Sequence, residues 1–297
     1  HAEVNAVNSV KNKKLLPEAT LYVNLEPCSH FGKTPPCADM IVRNKLKRVV
    51  IGSVDPHIKV SGKGIAILRN GGCEVEYGIL DEENKKLNIR FFTFHLLNRP
   101  YIILKWAMTS DGFIDYKRKI GDEQKPLNIS GHQSQILNHK WRAEESSILV
   151  GTNTVLLDNP NLNCRYYNGE NPIRITIDRS DKIPGNYNFK DGSQKTLIFG
   201  KNQNTNIEQL SYVRYDFNDH FINRFNDVLF KRNIQSVIVE GGAQILNLFL
   251  NQNMFDEIRI IKSKKKIGKG IKAPNFFGIE FEYYQLGEDE ILSFKKH

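Results

Sequence analysis

Several hallmarks of secreted and membrane proteins are missing from this sequence of 297 residues. No run of about 18 apolar residues occurs, so we expect no membrane span. No basic segment followed by an apolar one stands at the start, which makes a cytoplasmic location the expectation. Cysteine is scarce, and the 4 residues present could form two disulfides in a secreted protein. Cys28 and Cys37, however, lie in a segment that suits a metal site, and we expect Cys73 and Cys164 to be ordinary buried side chains.

Acidic residues are outnumbered, with 42 Lys and Arg against 33 Asp and Glu and a formal net charge of +9. Such an excess can attract nucleic acid, and it equally suits a phosphorylated small molecule. The densest basic run, residues 262–269, has no aromatic residues between its lysines on which bases could stack. We therefore expect a solvated face there, and a small-molecule substrate in place of a nucleic-acid partner.

Strands and helices alternate along the whole chain, which predicts an α/β fold, and the length favours two domains. Residues 98–100 (NRP) interrupt the alternation, so we place the boundary between a domain of residues 1–98 and a domain of residues 99–297. The predicted strands are residues 20–25, 48–52, 73–78, 101–107, 147–150, 174–177, 196–199, 236–239 and 257–262. The predicted helices are residues 3–13, 37–44, 65–70, 81–94, 134–144 and 244–251.

One imidazole and two thiols in the first domain have the pattern of a zinc site. His1 and Glu3 open the chain as H-x-E, and Cys28 and Cys37 follow in the segment PCSHFGKTPPC. Three such ligands leave the fourth tetrahedral position of zinc open for water, as catalytic sites require. Glu3 is placed to move a proton from that water to a leaving amine. His30 would close the site as a fourth ligand, but its position in the loop favours a contact with substrate.

This arrangement is similar to the H-x-E and P-C-x-x-C signature of zinc deaminases that act on bases, although eight residues separate the cysteines here. The longer loop and its G-K-T-P-P-C ending resemble the deaminases of bacterial riboflavin biosynthesis. That resemblance implies a cytidine-deaminase-like three-layer domain with His1, Cys28 and Cys37 as Zn²⁺ ligands and Glu3 as the proton shuttle. A structural zinc site, or two buried cysteines without a metal, are the alternatives that the residues alone leave open.

A second segment of the first domain matches the same family. Residues 55–64 (DPHIKVSGKG) resemble its D-P-N-P-x-V-x-G-x-G loop, which contributes to substrate binding there, with His57 at the usual Asn. Lys63 would meet a substrate phosphate, or would be a solvated lysine beside a glycine-rich turn. Members of this family carry a strand and a helix before H-x-E. Because His1 opens this chain, we expect a deaminase half that is incomplete as given.

The second domain has no G-x-G-x-x-G, so we do not expect a Rossmann site. Residues 237–243 (VIVEGGA) lead from an apolar strand through two glycines into a helix, where free N–H groups favour an anion such as a diphosphate. Residues 105–112 (KWAMTSDG), 148–160 (ILVGTNTVLLDNP) and 163–165 (NCR) resemble, in the right order, segments of the reductases of riboflavin biosynthesis. The resemblance implies a fold related to dihydrofolate reductase, with NADPH as the reductant.

The same resemblance implies which residues of the second domain face each ligand, and it implies homo-oligomers that associate through this domain. The substrate would meet Lys105, Arg142, Leu162, Arg165 and Glu240. The cofactor would meet Met108, Asn128, Ser130, Thr154, Asp158, Gly241 and Gly242. Two of the substrate-facing side chains are arginines, which suit a ribose phosphate because a guanidinium can bind phosphate in a bidentate way. Asn128 stands where the family usually has Trp.

Taken together, the two halves predict a bifunctional enzyme of riboflavin biosynthesis. Its first domain would deaminate a phosphorylated ribosylamino-pyrimidinone with zinc, and its second would reduce the ribosyl group to a ribityl chain with NADPH. One alternative is an active reductase whose first domain is a scaffold that holds zinc for structure only and has no catalytic activity. A nucleic-acid deaminase is the other, and it would have no use for the reductase segments.

Overall fold

The computed structural model divides into two compact units, His1–Asn98 and Arg99–His297. It describes residues 1–31, 35–57, 60–121, 126–201, 206–215, 221–275 and 281–296. Each unit combines a sheet with helices, so the predicted α/β class is confirmed. Among the helices of these described residues, none has the length and the apolar character needed to cross a membrane.

The first unit is built on three parallel strands in the order β1-β2-β3. These strands are β1 (Thr20–Leu25), β2 (Arg48–Ser53) and β3 (Glu74–Tyr77). β2 is the central strand and is buried along almost its whole length, whereas β1 and β3 are partly exposed at the edges. A strand with neighbours on both sides and helices on its faces needs this continuous apolar run. The helices are α1 (Ala2–Ser9), α2 (Cys37–Arg43), α3 (Lys63–Asn70), α4 (Asp81–Leu87) and α5 (Ile89–Leu97).

The predicted helix of residues 3–13 is wrong at its carboxyl end. α1 stops at Ser9, and a separate 3-10 helix spans Lys13–Glu18. The Lys13 ammonium donates to the carbonyl of Val7 at 2.6 Å. The last carbonyls of a helix have no partners within the helix, so a lysine at this place satisfies one of them.

The predicted helix of residues 81–94 is wrong in its continuity, because Asn88 separates α4 from α5. The side-chain amide of Asn88 donates to the carbonyl of Asn84 at 3.0 Å. Asparagine side chains compete in this way with the backbone hydrogen bonds of a helix. The residues that follow in α5 pack Phe92 and Phe94 into the interior.

The second unit contains a ten-stranded sheet in the order β14-β15-β12-β4-β11-β6-β7-β8-β10-β9 and a separate pair, β13-β5. Its strands are β4 (Tyr101–Met108), β5 (Phe113–Asp115), β6 (Ser147–Val150), β7 (Ile173–Asp178), β8 (Thr196–Gly200), β9 (Asn206–Ile207), β10 (Leu210–Arg214), β11 (Ser236–Val239), β12 (Glu257–Lys262), β13 (Ile271–Lys272), β14 (Glu282–Leu286) and β15 (Asp289–Lys295). Its helices are α6 (His132–Glu144), α7 (Thr152–Asp158), α8 (Phe221–Lys231) and α9 (Ala243–Asn251).

The middle of this sheet is parallel from β12 through to β10. Every residue of β6 and β11 is buried, which fits their place at its centre. Parallel strands all end at the same edge of a sheet, and ligands of open α/β sheets bind outside that carboxyl edge. The segments that follow β6 and β11, which include α7 and the two glycines before α9, therefore lie where a ligand site is expected.

Candidate active sites

Three potential metal ligands meet in the first unit, at the starts of two helices and the end of one strand. The ligand atoms of His1, Cys28 and Cys37 all lie within 4.8 Å of one another. His1 Nδ1 is 3.7 Å from Cys28 Sγ and 3.3 Å from Cys37 Sγ. His1 precedes α1, Cys28 lies in the loop after β1, and Cys37 is the first residue of α2. The Cys37 backbone N–H donates to Cys28 Sγ at 3.2 Å, which keeps the two cysteines together.

The donor set fits zinc. Burial raises the pKa of the Cys37 thiol, and the neighbouring Glu3 and Cys28 raise it further. A cation among these groups would favour the thiolates that zinc requires. One imidazole and two thiolates leave a fourth tetrahedral position for water. His30 is exposed and lies outside the set, with its ring stacked on that of His57 at 6.3 Å between centroids.

A cavity of about 550 Å³ opens beside these ligands within the first unit. Glu3 and Cys28 line it, together with Asp55 and Phe91, which the sequence did not mark as site residues. Burial raises the pKa of Asp55, whose Oδ1 accepts a hydrogen bond from the backbone N–H of His57 at 2.7 Å. The motif around Asp55 was a usable signal, whereas nothing in the local sequence marks Phe91.

The loop before α3 is held by a buried carboxylate, Glu26. Glu26 Oε2 accepts from the N–H of Gly62 at 2.9 Å and from the N–H of Asp55 at 3.3 Å. Gly62 has a φ of 76°, and a Cβ at Gly64 would lie 2.1 Å from the carbonyl of Pro27, so both glycines are required by the backbone. Lys63 lies between them, is exposed, and is not among the residues that line the cavity.

In the second unit, a carboxylate and two cations form a buried cluster. Glu240 directly follows β11 and accepts two hydrogen bonds from Arg142, at 3.0 Å and 2.7 Å. Lys105 Nζ lies 3.7 Å from Glu240 Oε2. Burial alone would raise the pKa of Glu240, but the charges of Arg142 and Lys105 outweigh it and lower that pKa to about 2. Glu240 is therefore ionised, whereas burial lowers the pKa of Lys105, a shift that the charge of Glu240 opposes.

The two arginines predicted to face the substrate differ in environment. Arg142 is committed to Glu240 in a bidentate pair, so part of its hydrogen-bonding capacity is already used. Arg165 is exposed, donates a 3.3 Å hydrogen bond to Asn163 Oδ1, and places its guanidinium carbon 5.0 Å from the centroid of the Tyr166 ring. Leu162 is 5% exposed with a φ of 53°. Arg165 is thus the more accessible of the two arginines.

His139, a residue that the sequence did not mark, lies on α6 in the same region. It is 3% exposed, and its ring contacts that of Tyr166 at 4.8 Å between centroids. Burial lowers the pKa of His139 to about 4, and the positive charges of Arg142 and Arg165 contribute to the shift. Its imidazole is therefore neutral at physiological pH.

A second cavity, of about 460 Å³, opens at the carboxyl edge of the large sheet, and Thr154, Asp158 and Gly242 line it. Gly242 N–H donates to Thr154 Oγ1 at 3.1 Å just before α9 begins. A Cβ at Gly241 would lie 2.0 Å from Ile245 Cγ2 and 2.9 Å from the backbone nitrogen of Gly151, so only glycine allows this turn. A glycine turn that leads into a helix start, beside apolar side chains, fits a dinucleotide diphosphate.

Four predicted cofactor residues are not among those that line this cavity: Gly241, Met108, Asn128 and Ser130. Met108 packs against the hydrophobic core. Asn128 is exposed and accepts a hydrogen bond from Gln135 Nε2 at 3.0 Å, and Ser130 accepts one from the same nitrogen through its carbonyl at 3.2 Å. Arg118, which the sequence did not mark, does line the cavity.

A zinc site of the deaminase type in one unit and a dinucleotide cavity in the other define a deaminase joined to a reductase. Residues 1–53 match the family model of the cytidine and deoxycytidylate deaminase zinc-binding region. Residues 100–291 match that of the RibD C-terminal domain. The chain belongs to the RibD family, the bifunctional deaminases and reductases of riboflavin biosynthesis.

Relatives from distant bacteria support this assignment. The riboflavin biosynthesis protein RibD of Aquifex aeolicus is 36% identical over 100% of this chain and 85% of the relative's length. The RibD of Bacillus amyloliquefaciens is 35% identical over 94% of this chain and 76% of its own. The crystal structure of a deaminase and reductase from Thermotoga maritima has a TM-score of 0.77 at 32% identity, covering 93% of this chain and 79% of that one. The RibD of Acinetobacter baumannii has a TM-score of 0.84 at 27% identity, covering 99% and 84%.

Proposed function

We propose that this chain catalyses both reactions for which its Thermotoga maritima relative is named. These are the deamination of a diaminohydroxyphosphoribosylaminopyrimidine and the reduction of a 5-amino-6-(5-phosphoribosylamino)uracil. The observation that carries the proposal is that one chain holds both a three-ligand metal set beside a cavity and a buried ion cluster at the carboxyl edge of the larger sheet. We assign the first activity to residues 1–98 and the second to residues 99–297.

For deamination, we assign His1, Cys28 and Cys37 as the residues that hold zinc. Zinc held by these residues would supply a Lewis acid that makes water a usable nucleophile toward the carbon that bears the amine. Glu3 lines the same cavity as Cys28 and transfers the proton from the water to the leaving amine. Phe91 offers an apolar wall for the pyrimidine ring, and Lys63 is assigned to the substrate phosphate.

For reduction, we assign Thr154, Asp158, Gly241 and Gly242 to the cofactor, with Met108, Asn128 and Ser130 as further members of that set. When bound, NADPH supplies the hydride. Because Glu240 is ionised at neutral pH, it accepts hydrogen bonds from the substrate and does not donate one. Lys105 is then the donor that polarises the sugar oxygen.

The remaining substrate-facing residues are assigned by exposure and charge. Arg165 binds the ribose phosphate, Arg142 orients Glu240, and Leu162 supplies an apolar contact. We also propose a homo-oligomer that associates through the second unit, and a cytoplasmic location. None of the 4 cysteines is paired in a disulfide, which a reducing compartment favours.

The proposal is tested by a paired assay on the purified protein. Ammonia release from the pyrimidine substrate is followed without NADPH, and NADPH oxidation is then followed with the deaminated product. We expect Cys28→Ser to lose bound zinc and ammonia release and to keep NADPH oxidation. Cys73→Ala, which removes another buried thiol of the same unit, should keep zinc and both activities.

The outcomes separate the candidate functions. NADPH oxidation without ammonia release, even with added zinc, would reduce the first unit to a scaffold. Ammonia release without NADPH oxidation would remove the reductase assignment. Loss of zinc from Cys73→Ala as well as from Cys28→Ser would show that the ligand set is assigned wrongly.

A further inference from the structure

The loop between α7 and β7 carries Arg165 and packs against α6. The ring of Tyr166 lies 4.8 Å from that of His139 on α6, measured between centroids. A Cβ added to Gly169 would lie 2.6 Å from Ala143 Cβ, so the backbone of the loop also approaches α6 closely there. The loop is therefore held against α6 both at Tyr166 and at Gly169.

The guanidinium of Arg165 lies over the ring of its neighbour Tyr166. Its central carbon is 5.0 Å from the ring centroid, and its Nη1 donates to Asn163 Oδ1 at 3.3 Å. A guanidinium over an aromatic face is attracted by the ring quadrupole, and this contact uses none of the N–H donors. The donors stay available for an anion, while the long side chain is restricted before the anion binds. Restriction of this kind lowers the entropy cost of binding.

The Tyr166 ring also sets where on the molecule Arg165 is held. His139 and Arg142 are three residues apart on α6 and share one face of that helix. Burial and then the charges of Arg142 and Arg165 lower the pKa of His139 to about 4, which places both guanidiniums near a neutral imidazole. Arg142 in turn is paired with Glu240. Tyr166 thus attaches Arg165 to the part of α6 that holds the buried ion cluster.

We propose that Tyr166 is a positioning residue for the substrate phosphate. Its ring holds the Arg165 guanidinium and fixes it to α6 through His139. Tyr166 acts through Arg165 and not on the reacting atoms, so its loss should raise KM and leave kcat unchanged. This inference rests on the reductase function and on the assignment of Arg165 to the phosphate, both proposed above.

The test is steady-state NADPH oxidation by the purified full chain with two substrates. One is 5-amino-6-(5-phosphoribosylamino)uracil, the compound for which the Thermotoga maritima relative is named, and the other is the same compound without its phosphate. We expect Tyr166→Leu to raise KM about 3- to 10-fold for the phosphorylated substrate, since it removes the aromatic face. For the substrate without phosphate, kcat/KM should equal that of the wild type. Tyr166→Phe keeps the ring and should stay within about two-fold of the wild type for both substrates.

A double-mutant cycle separates positioning from a general effect on the fold. Arg165→Gln should raise KM for the phosphorylated substrate, and adding Tyr166→Leu to it should raise KM by less than about two-fold, because the two side chains act as one unit. The matched control is Tyr167→Leu. Tyr167 is similarly exposed, at 39% against 44% for Tyr166, and in the described part of the chain its ring contacts neither Arg165 nor His139. Its kinetics should equal those of the wild type.

The results that would overturn the inference are distinguishable. A raised KM in Arg165→Gln with an unchanged KM in Tyr166→Leu removes the role of Tyr166 and leaves the reductase function standing. An equal loss of kcat/KM with both substrates in Tyr166→Leu also removes it, because the effect would not depend on the phosphate. An unchanged KM in Arg165→Gln removes the assignment of Arg165 together with this inference. A wild-type chain that does not oxidise NADPH removes the reductase function as well.

Discussion

The two candidate centres of this chain are built in opposite ways. In the first unit, the three metal ligands and Glu3 all lie within residues 1–37, at the ends of neighbouring elements. In the second, Lys105, Arg142 and Glu240 come from β4, from α6 and from the end of β11. A metal concentrates its charge at one point, so a few nearby side chains suffice to hold it. A site for a large cofactor and its substrate has to be assembled along the edge of a sheet.

The centres also differ in what their removal should cost the fold. His1 is exposed and Cys28 is half-buried, so the ligand set lies near the surface. Glu240 and its two partners are buried, and each side chain is at most 11% exposed. Mutations at the first centre should therefore act on chemistry, and mutations at the second should act on stability as well.

Glu3→Gln should give the largest effect and the sharpest separation of the two centres. Ammonia release should fall about 100- to 10,000-fold, the usual contribution of a positioned proton-transfer group. Zinc content should be unchanged because Glu3 is not a ligand, and NADPH oxidation should be unchanged because Glu3 lies in the other unit. Metal analysis and the paired assay check this. An equal fall in NADPH oxidation would contradict the independence of the two centres.

Glu240→Gln should destabilise the second unit by about 3–5 kcal/mol, because it leaves two buried cations without their carboxylate. Reductase activity should be lost with it. The matched control is Glu76→Gln, which removes the partner of Arg48 in a pair that is 36% and 54% exposed. An exposed pair of this kind contributes at most about 1 kcal/mol. Urea unfolding measures both, and equal effects would show that the Glu240 cluster has no special role in stability.

Gly241→Ala should cost about 1–3 kcal/mol, because the added methyl group would collide with Ile245 and with the backbone of Gly151. NADPH binding should weaken as well, because this turn leads directly into the start of α9. Gly185→Ala is the control, because a Cβ there meets nothing within 4 Å. Thermal unfolding and NADPH titration check this. If Gly241→Ala and Gly185→Ala have the same stability and the same NADPH affinity, the close approach at Gly241 is not what requires glycine.

The smallest effect is a pH dependence that His139 should give to the second unit alone. Its pKa is lowered from 6.5 to about 4 by burial, with Arg142 and Arg165 contributing. Between these two pH values the unfolded chain binds the proton and the folded chain does not, so stability falls as the pH falls. One proton corresponds to a slope of at most about 1.4 kcal/mol per pH unit. Urea unfolding of wild type and His139→Gln from pH 7 to pH 4 should show a steeper fall in the wild type, and equal slopes would contradict the assignment.

Much of the fold was predictable because burial leaves a direct mark on sequence. The predicted strands of residues 147–150, 236–239 and 257–262 coincide with β6, β11 and β12. β6 and β11 are apolar runs at the centre of a sheet, whereas β12 (EIRIIK) begins with alternating charged and apolar residues, which is the other strand pattern. The short edge strands β9 and β13 and the antiparallel β14 and β15 were not predicted, since β14 is mostly exposed and lacks such a run.

α8 is a different kind of miss. Phe221, Phe225 and Val228 have the spacing of one helix face, and all three are buried. The signal for this helix was therefore present in the sequence. The break at Asn88 was not signalled in the same way, because it depends on which of two competing hydrogen bonds its side chain makes.

The sequence by itself determined the chemistry that local motifs carry: the H-x-E, the two cysteines, and the strand–glycine–helix turn after β11. Only the tertiary structure decided which distant side chains join them. It pairs Arg142 with Glu240, and it brings Phe91 to the first cavity and Arg118 to the second. The physical reason is how far apart along the chain the interacting residues lie. A motif fixes donors a few residues apart through the local backbone, whereas salt bridges and cavity walls depend on the packing of elements that are far apart in the chain.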